Sequence, residues 1–146
     1  MKRTKEHSNF SGVWKLNLKK SIMRGALPKQ ILVNIEHNDP TLIQQMLLTD
    51  ANGAEQRQVF TCRIGVETKN SVGGVELQSS ARWNGAELVI ESRMNARSRE
   101  FYFKDHWELS SDGRILTMTH RDDDLAGQIS VLEKMPDTDS SYFNDF

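Results

Sequence analysis

Few residues in this 146-residue chain have the type and setting to do chemistry: Asp105, His37, His120, Cys62 and the run Asp122-Asp123-Asp124. Asp105 sits between Phe103 and Trp107 in an alternating run, on the face that turns inward. A carboxylate there needs a cation or a retained proton, because burying it unpaired is costly. It reads as an acid, a base or a ligand anchor, or as a strand-end group bonded to a turn amide, Arg57 or Arg121. His37 and His120 fall on inward positions near the ends of their runs. Histidine titrates near neutral pH and suits proton transfer, and together the two would form one polar pole of an interior. Their neighbours, Asn38-Asp39-Pro40 and Arg121-Asp122-Asp123-Asp124, equally suit a rim. Asp105, His120 and His37 are thus the candidate catalytic residues.

The remaining groups point away from metal or thiol chemistry. Three consecutive aspartates lack the alternating oxygen ligands and glycine of a calcium loop, and no histidine pair has zinc spacing. No metal site and no cofactor is expected. Cys62, on an inward register with Phe60 and Ile64, reads as a small hydrophobe. Arg82, Arg93, Arg97 and Arg99 form an outer basic streak opposed by Glu76, Glu87 and Glu91, which cross-strand pairing explains.

The elements that must position these residues are strands. Asp50-Ala-Asn-Gly53, Gly73-Gly74, Asn84-Gly85 and Asp112-Gly113 are tight-turn signals lying between runs of alternating hydrophobicity. Asn-Gly and Asp-Gly suit type I′ hairpins, in which both central residues take positive φ. Asp39-Pro40 separates another pair of runs, since proline cannot donate to a ladder. The strands are expected at Phe10–Lys19, Gln30–Asn38, Thr41–Thr49, Ala54–Ile64, Val66–Val72, Val75–Trp83, Ala86–Ala96, Glu100–Leu109, Arg114–Arg121 and Gln128–Lys134. Lys20–Lys29 has room for a single helical turn, around Ser21–Arg24. No useful length shows a 3.6-residue apolar stripe.

The inward face separates a packed sandwich from a hollow barrel. Phe10, Gly12, Trp14, Leu16 and Leu18 share one side of the first strand, where Trp14 plugs one end and Gly12 lets a large neighbour cross. Other inward positions carry Ser79, Ala81, Ser92, Ala96, Gln44 and Asp105, where a filled core would place Leu, Ile or Val. Small and polar residues suit an interior that holds a ligand or water. Closure also removes the exposed edges of so extensive a sheet. The expected fold is an all-β, antiparallel up-and-down barrel of about ten strands. Its cavity, of roughly 300–1,000 Å³, is expected between Ser79, Ala81 and Ser92 and the facing Phe103, Asp105 and Trp107. Ser79, Ser92, Phe103, Asp105, Trp107, Gln44 and Met94 are the candidate ligand-binding residues.

Phe10-Ser-Gly-Val-Trp14 resembles the Gly-x-Trp signature that opens lipocalins and fatty-acid-binding proteins, the calycin group. Residues Phe10 to Ser21 are similar to the start of small bacterial lipocalin-like proteins, and the stretches Trp83 to Leu88 and Trp107 to Thr117 resemble their repeated hairpins. The resemblance covers roughly Phe10 to Lys134 and implies a barrel that binds a small hydrophobic molecule. Two departures stand out against fatty-acid-binding proteins. Lys20–Lys29 has no room for their helix pair, and Gln128–Lys134 lacks their carboxylate-gripping Arg-x-Tyr.

Twenty acidic and nineteen basic side chains give a net charge of -1, without the basic footprint that nucleic acid demands. The longest apolar runs, such as Met46-Leu47-Leu48, fall far short of a membrane span. The chain reads as a disordered extension over 1–9, a barrel domain over 10–135 and a loose acidic tail over 136–146, which ends in aromatics able to dock. The basic start without an apolar stretch places it in the cytoplasm, or in a secreted or periplasmic location if an upstream signal has been removed. Its expected partner is a small hydrophobic molecule, bound by a monomer or homodimer. The alternatives are a cofactor-independent cyclase or isomerase acting on a hydrophobic intermediate, and a structural barrel without ligand.

Overall fold

In a computed structural model, ten antiparallel strands form one sheet that nearly closes on itself. The structure describes residues 7–72, 74–122, 127–144 and 146. Most of the expected N-terminal extension, Gly73 of the Gly73-Gly74 turn, Asp123 and Asp124 of the acidic run and Asp145 of the tail lie outside the described residues. The strands are β1 (Gly12–Leu16), β2 (Gln30–Asn38), β3 (Thr41–Thr49), β4 (Glu55–Arg63), β5 (Glu67–Val72), β6 (Val75–Asn84), β7 (Glu87–Ala96), β8 (Arg99–Leu109), β9 (Ile115–Asp122) and β10 (Gln128–Met135). Each lies within a residue of the position its alternation gives, except β1. That strand is shorter at both ends than Phe10–Lys19.

The order is β4-β3-β2-β1-β10-β9-β8-β7-β6-β5, so β1 bonds both its neighbour in sequence and the last strand. The two ends of the order, β4 and β5, are consecutive in the chain and meet through side chains. Asn70 Nδ2 donates to Thr61 O and Asn70 Oδ1 accepts from Thr61 N–H, both at 2.8 Å. One asparagine amide thus substitutes for a peptide group of the missing ladder. Thr68 Oγ1 extends the seam by accepting from Arg63 N–H at 3.0 Å.

After β1 the chain makes one 3-10 turn, Leu18–Lys20, capped by Asn17 Oδ1 on Lys20 N–H. This turn, and not Ser21–Arg24, is the helical piece of the connection, because Asn17 supplies the acceptor that starts it. Ser21 is instead fixed by its hydroxyl, which donates to Asn17 O at 2.6 Å and accepts from Val131 N–H. Ile22 then bridges to Ile129, laying residues 21–24 beside the start of β10.

Trp14 is fully buried and donates from Nε1 to Phe10 O at 2.9 Å. Phe10 meets Trp107 edge-on and stacks with Trp83 and His37, closing the barrel at that end. Gly12, at φ +140°, is crossed by the Lys134 side chain: a Cβ there would lie 3.0 Å from Lys134 Cε. The alternation misses a second core. Val13, Leu32 and Leu47 point outward yet are buried, because the tail folds over them with Phe143 at 6% exposure. Expected to be loose, residues Asp137–Phe143 form 3-10 turns, and Phe146 packs beside Phe143.

Two hairpins also differ from expectation. Asn84 pairs with Glu87, so the turn residues are Gly85 and Ala86 and only Gly85 has positive φ. That is the first-position glycine of a type II′ turn rather than type I′. Between β7 and β8, Ala96 pairs with Arg99 across Arg97 and Ser98, at φ 53° and 61°. A type I′ turn here forces two side-chain-bearing residues into the left-handed region.

Two stability measurements follow. Trp14→Ala, which empties the plug and orphans Phe10 O, costs about 3–5 kcal/mol in urea unfolding. Arg97→Asn with Ser98→Gly relieves the turn and stabilises by roughly 1 kcal/mol in the same assay.

Candidate functional site

Burial falls along the inward rows from the Trp14 end to the other. Leu88, Ile90 and Ser92 of β7 are buried and Met94 is half-buried. In β8, Trp107 is buried, whereas Asp105, Phe103 and Phe101 are half-buried. The same change runs from Leu116 to Met118 and His120, from Leu132 to Ser130, and from Leu42 to Gln44 and Met46. Inward side chains that keep exposed surface must border space inside the barrel or at its mouth. The Trp14 half is therefore the more buried and the opposite half the more open to solvent, although Met46, Phe60 and Met118 there pack against the core on one side. Ile22 and Leu27, both more than half exposed, lie on the connection that reaches this mouth beside β10.

Asp105 and His120 are direct partners on β8 and β9 in the open half, with Asp105 Oδ1 2.7 Å from His120 Nδ1. The imidazole stacks on the Phe103 ring at 5.4 Å between centroids. The hydrogen bond to Asp105 raises the His120 pKa, desolvation opposes it, and the charges of Asp105 and Asp122 add to the rise. The partner of Asp105 is therefore His120, not Arg57 or Arg121. The side chains of Asp105 and His120 keep 26% and 39% exposure. Neither the second carboxylate oxygen of Asp105 nor His120 Nε2 bonds to any described residue.

His37 lies at the opposite end, so the two histidines do not form one polar pole. Its Nδ1 accepts from Phe10 N–H at 3.1 Å, which leaves Nε2–H to donate to Asp39 Oδ1 at 2.6 Å. Both nitrogens are thereby committed to holding the Phe10 plug, a structural task. Ser79 and Ser92 hydrogen-bond each other at 2.7 Å and are buried, and Trp107 belongs to the plug. Of the candidate ligand-binding residues, Phe103, Asp105, Gln44 and Met94 border the open half. Alternation also marks Met46, two residues after Gln44, and Met118, two before His120, as members of these rows. Burial pushes the Cys62 thiol up to about 12, which makes it inert as a nucleophile.

Two surface cavities lie elsewhere. One of about 400 Å³ is on the outer face of β6 and β7, lined by Gln78, Ser80, Arg82, Glu91, Arg93 and Tyr102 among others. Its charges are paired: Arg82 Nη1 to Glu91 Oε1 at 2.5 Å and Arg93 Nη2 to Glu67 Oε2 at 3.2 Å. The Tyr102 hydroxyl donates to Glu91 and lowers its pKa. A neighbouring cavity of about 160 Å³ is lined by Glu76, Gln78, Arg93, Asn95 and Glu100. Neither is lined by Ser79, Ser92, Phe103, Asp105 or Trp107, where the sequence places the cavity. Among the described residues no three metal-ligating side chains come together, and no helix is long and apolar enough to cross a membrane.

No protein-family model matches the chain, and a search of curated proteins finds no match. Solved structures do match in fold. A secretory abundant heat soluble protein from Ramazzottius varieornatus, crystallised from a dimer sample, superposes with a TM-score of 0.66 at 14% identity over 86% of this chain and 94% of that one. The Schistosoma mansoni fatty-acid-binding protein in complex with arachidonic acid gives 0.59 at 12% identity, covering 87% and 96%. Fatty-acid-binding protein 1 of Echinococcus granulosus gives 0.56 at 12% identity, covering 87% and 98%. The chain is a nearly closed, up-and-down antiparallel barrel of ten strands with the topology of lipocalin-like and fatty-acid-binding barrels.

The dyad has a pH signature. Because the folded protein holds the His120 pKa above its ordinary value near 6.5, the pair's stabilisation is fully present below that value. It is lost as pH rises through the raised one. The urea midpoints of the parent and His120→Gln should thus differ most below about pH 6.5 and draw together as pH rises above it.

Proposed function

We propose that this chain is a binding protein for a small apolar or aromatic molecule, held in the open half of its barrel. The observation that supports this most is the gradient along the inward rows. Toward the mouth the inward rows still carry apolar side chains, Met46, Phe60, Met94, Phe103 and Met118, beside polar Gln44, Asp105, His120 and Ser130, yet these apolar groups are only half-buried. Apolar surface left in contact with water inside a concave wall gains free energy when a ligand covers it, at roughly 25 cal/mol per Å². The packed half supplies the stability that lets the other half stay unfilled. Fold likeness to fatty-acid-binding proteins is consistent with this reading but does not choose the ligand.

The dyad supports a second reading. A carboxylate bonded to a histidine of raised pKa has the composition of an acid–base unit, as a cofactor-independent isomerase or cyclase requires. On that reading a molecule released from protein purified from its own host comes back chemically altered after incubation with fresh protein, and Asp105→Asn stops the change.

Nile red, a neutral apolar dye, tests the binding reading. It should bind with a blue-shifted emission. Ser130→Trp, which projects an indole into the open half beside Met118, should weaken binding at least tenfold and leave the thermal midpoint within a few degrees. A parent protein that does not bind the dye refutes the proposal.

A further inference from the structure

We propose that two copies of this chain associate through the free edge of β4, pairing antiparallel about a two-fold axis at Gln56. The seam that closes the barrel holds only part of that strand. Asp50 N–H donates to Ala54 O and Ile64 N–H to Pro40 O, so the even-numbered residues of β4 turn their peptide groups toward β3. The odd-numbered residues turn theirs toward the seam, where Thr61 is held by Asn70 and Arg63 by Thr68. By the same count Val59 stands beside Val72, the last residue of β5, and the earlier residues of β4 lie beyond it. There the N–H and C=O groups of Glu55 and Arg57 bond to no described residue. Glu55 to Val59 are all exposed. Burial falls along the inward row from Cys62 through Phe60 to Gln58 and Gln56, so the free edge is at the open mouth.

Hydrogen-bond parity and charge together choose the occupant. In an antiparallel pair, facing residues whose peptide groups point at each other exchange both bonds. Centred on Gln56, Glu55 of each copy faces the partner's Arg57. Every free peptide group of Glu55 and Arg57 is then bonded, and each carboxylate meets a guanidinium on the outer face. Within one chain Arg57 Nη2 lies 3.5 Å from Glu55 Oε1 and its guanidinium lies over the Phe146 ring, yet both charged side chains stay exposed. The dimer joins two such pairs into one alternating cluster. Centred on Arg57 instead, the strands would set two guanidiniums opposite each other, which is destabilising, and would run the partner against the end of β5. So short an edge buries less than the roughly 1,600 Å² of a standard interface, and the dimer forms in a concentration-dependent way. This inference does not depend on what the barrel binds.

The test is sedimentation equilibrium of the full chain from about 10 µM to about 1 mM. The average mass should rise with concentration above that of the 16.7 kDa monomer. Arg57→Glu, which sets carboxylates opposite each other, should weaken association by about tenfold, and adding Glu55→Arg, which exchanges the charges, should restore it to within about threefold. Oxidative crosslinking reads the register. In the proposed pairing the two copies of residue 56 face each other with Cα atoms about 4.5 Å apart, within disulfide range. The two copies of residue 58 are roughly 14 Å apart. Gln56→Cys should therefore crosslink about tenfold faster than Gln58→Cys, which is also exposed on the same row. The native Cys62 is buried and takes no part. A parent chain that stays monomeric throughout overturns the proposal. So does association that is indifferent to Arg57→Glu, or crosslinking at residue 58 as fast as at residue 56.

Discussion

Closure of a single sheet is the constraint on which this molecule depends. Ten strands paired in one order have two edges, and edges left open invite pairing with other chains. Here the edges are β4 and β5, consecutive in sequence, and the seam between them is held by the Asn70 amide on both polar groups of Thr61. An inside exists because that seam closes. With it come the plug at Trp14, the buried rows around the plug and the half-buried rows at the mouth. The two halves divide the work: in one the inward side chains are buried, in the other they keep exposed surface.

The polar groups of the interior follow the same division. His37 and Asp39 stand at the packed end, where both imidazole nitrogens serve the backbone of Phe10 and the turn after β2. His120 and Asp105 stand at the open end, where one imidazole nitrogen and one carboxylate oxygen keep no partner among the described residues. Two histidine–aspartate pairs of similar composition differ because one has its hydrogen-bonding capacity exhausted by structure and the other does not. That difference, rather than residue type, marks a candidate site.

Period-two alternation carried most of the fold in the sequence, because a barrel wall turns every second side chain inward whatever its length. It placed Asp105 and His120 on the inner face but could not pair them, since their register is set by the loop between Leu109 and Leu116, which is longer than the two residues that Asp112-Gly113 signals. Arg97-Ser98 makes a tight type I′ turn without glycine or asparagine, and Asn84-Gly85 sits one residue off the turn it signals. Alternation also sorts by face alone. It put Val13 and Leu32 on the outer face because nothing local says that Phe143, far along the chain, will cover them. The interior near Ser79 and Ser92 was misjudged for a related reason: two small hydroxyls directly opposite each other satisfy one another and need no ligand.

The strand β1 has a consequence for synthesis. It is made first among the strands, yet its partner β10 and the covering Phe143 are made more than a hundred residues later. During translation the Gly12–Leu16 segment can pair on one side only, and Val13 stays uncovered. Long-range closures of this kind are slow to search, so the nascent chain passes through a stage in which an apolar strand edge is open to other chains. β1 is paired on both sides only when β10 has been made, and its outer face is covered only when Phe143 reaches Val13.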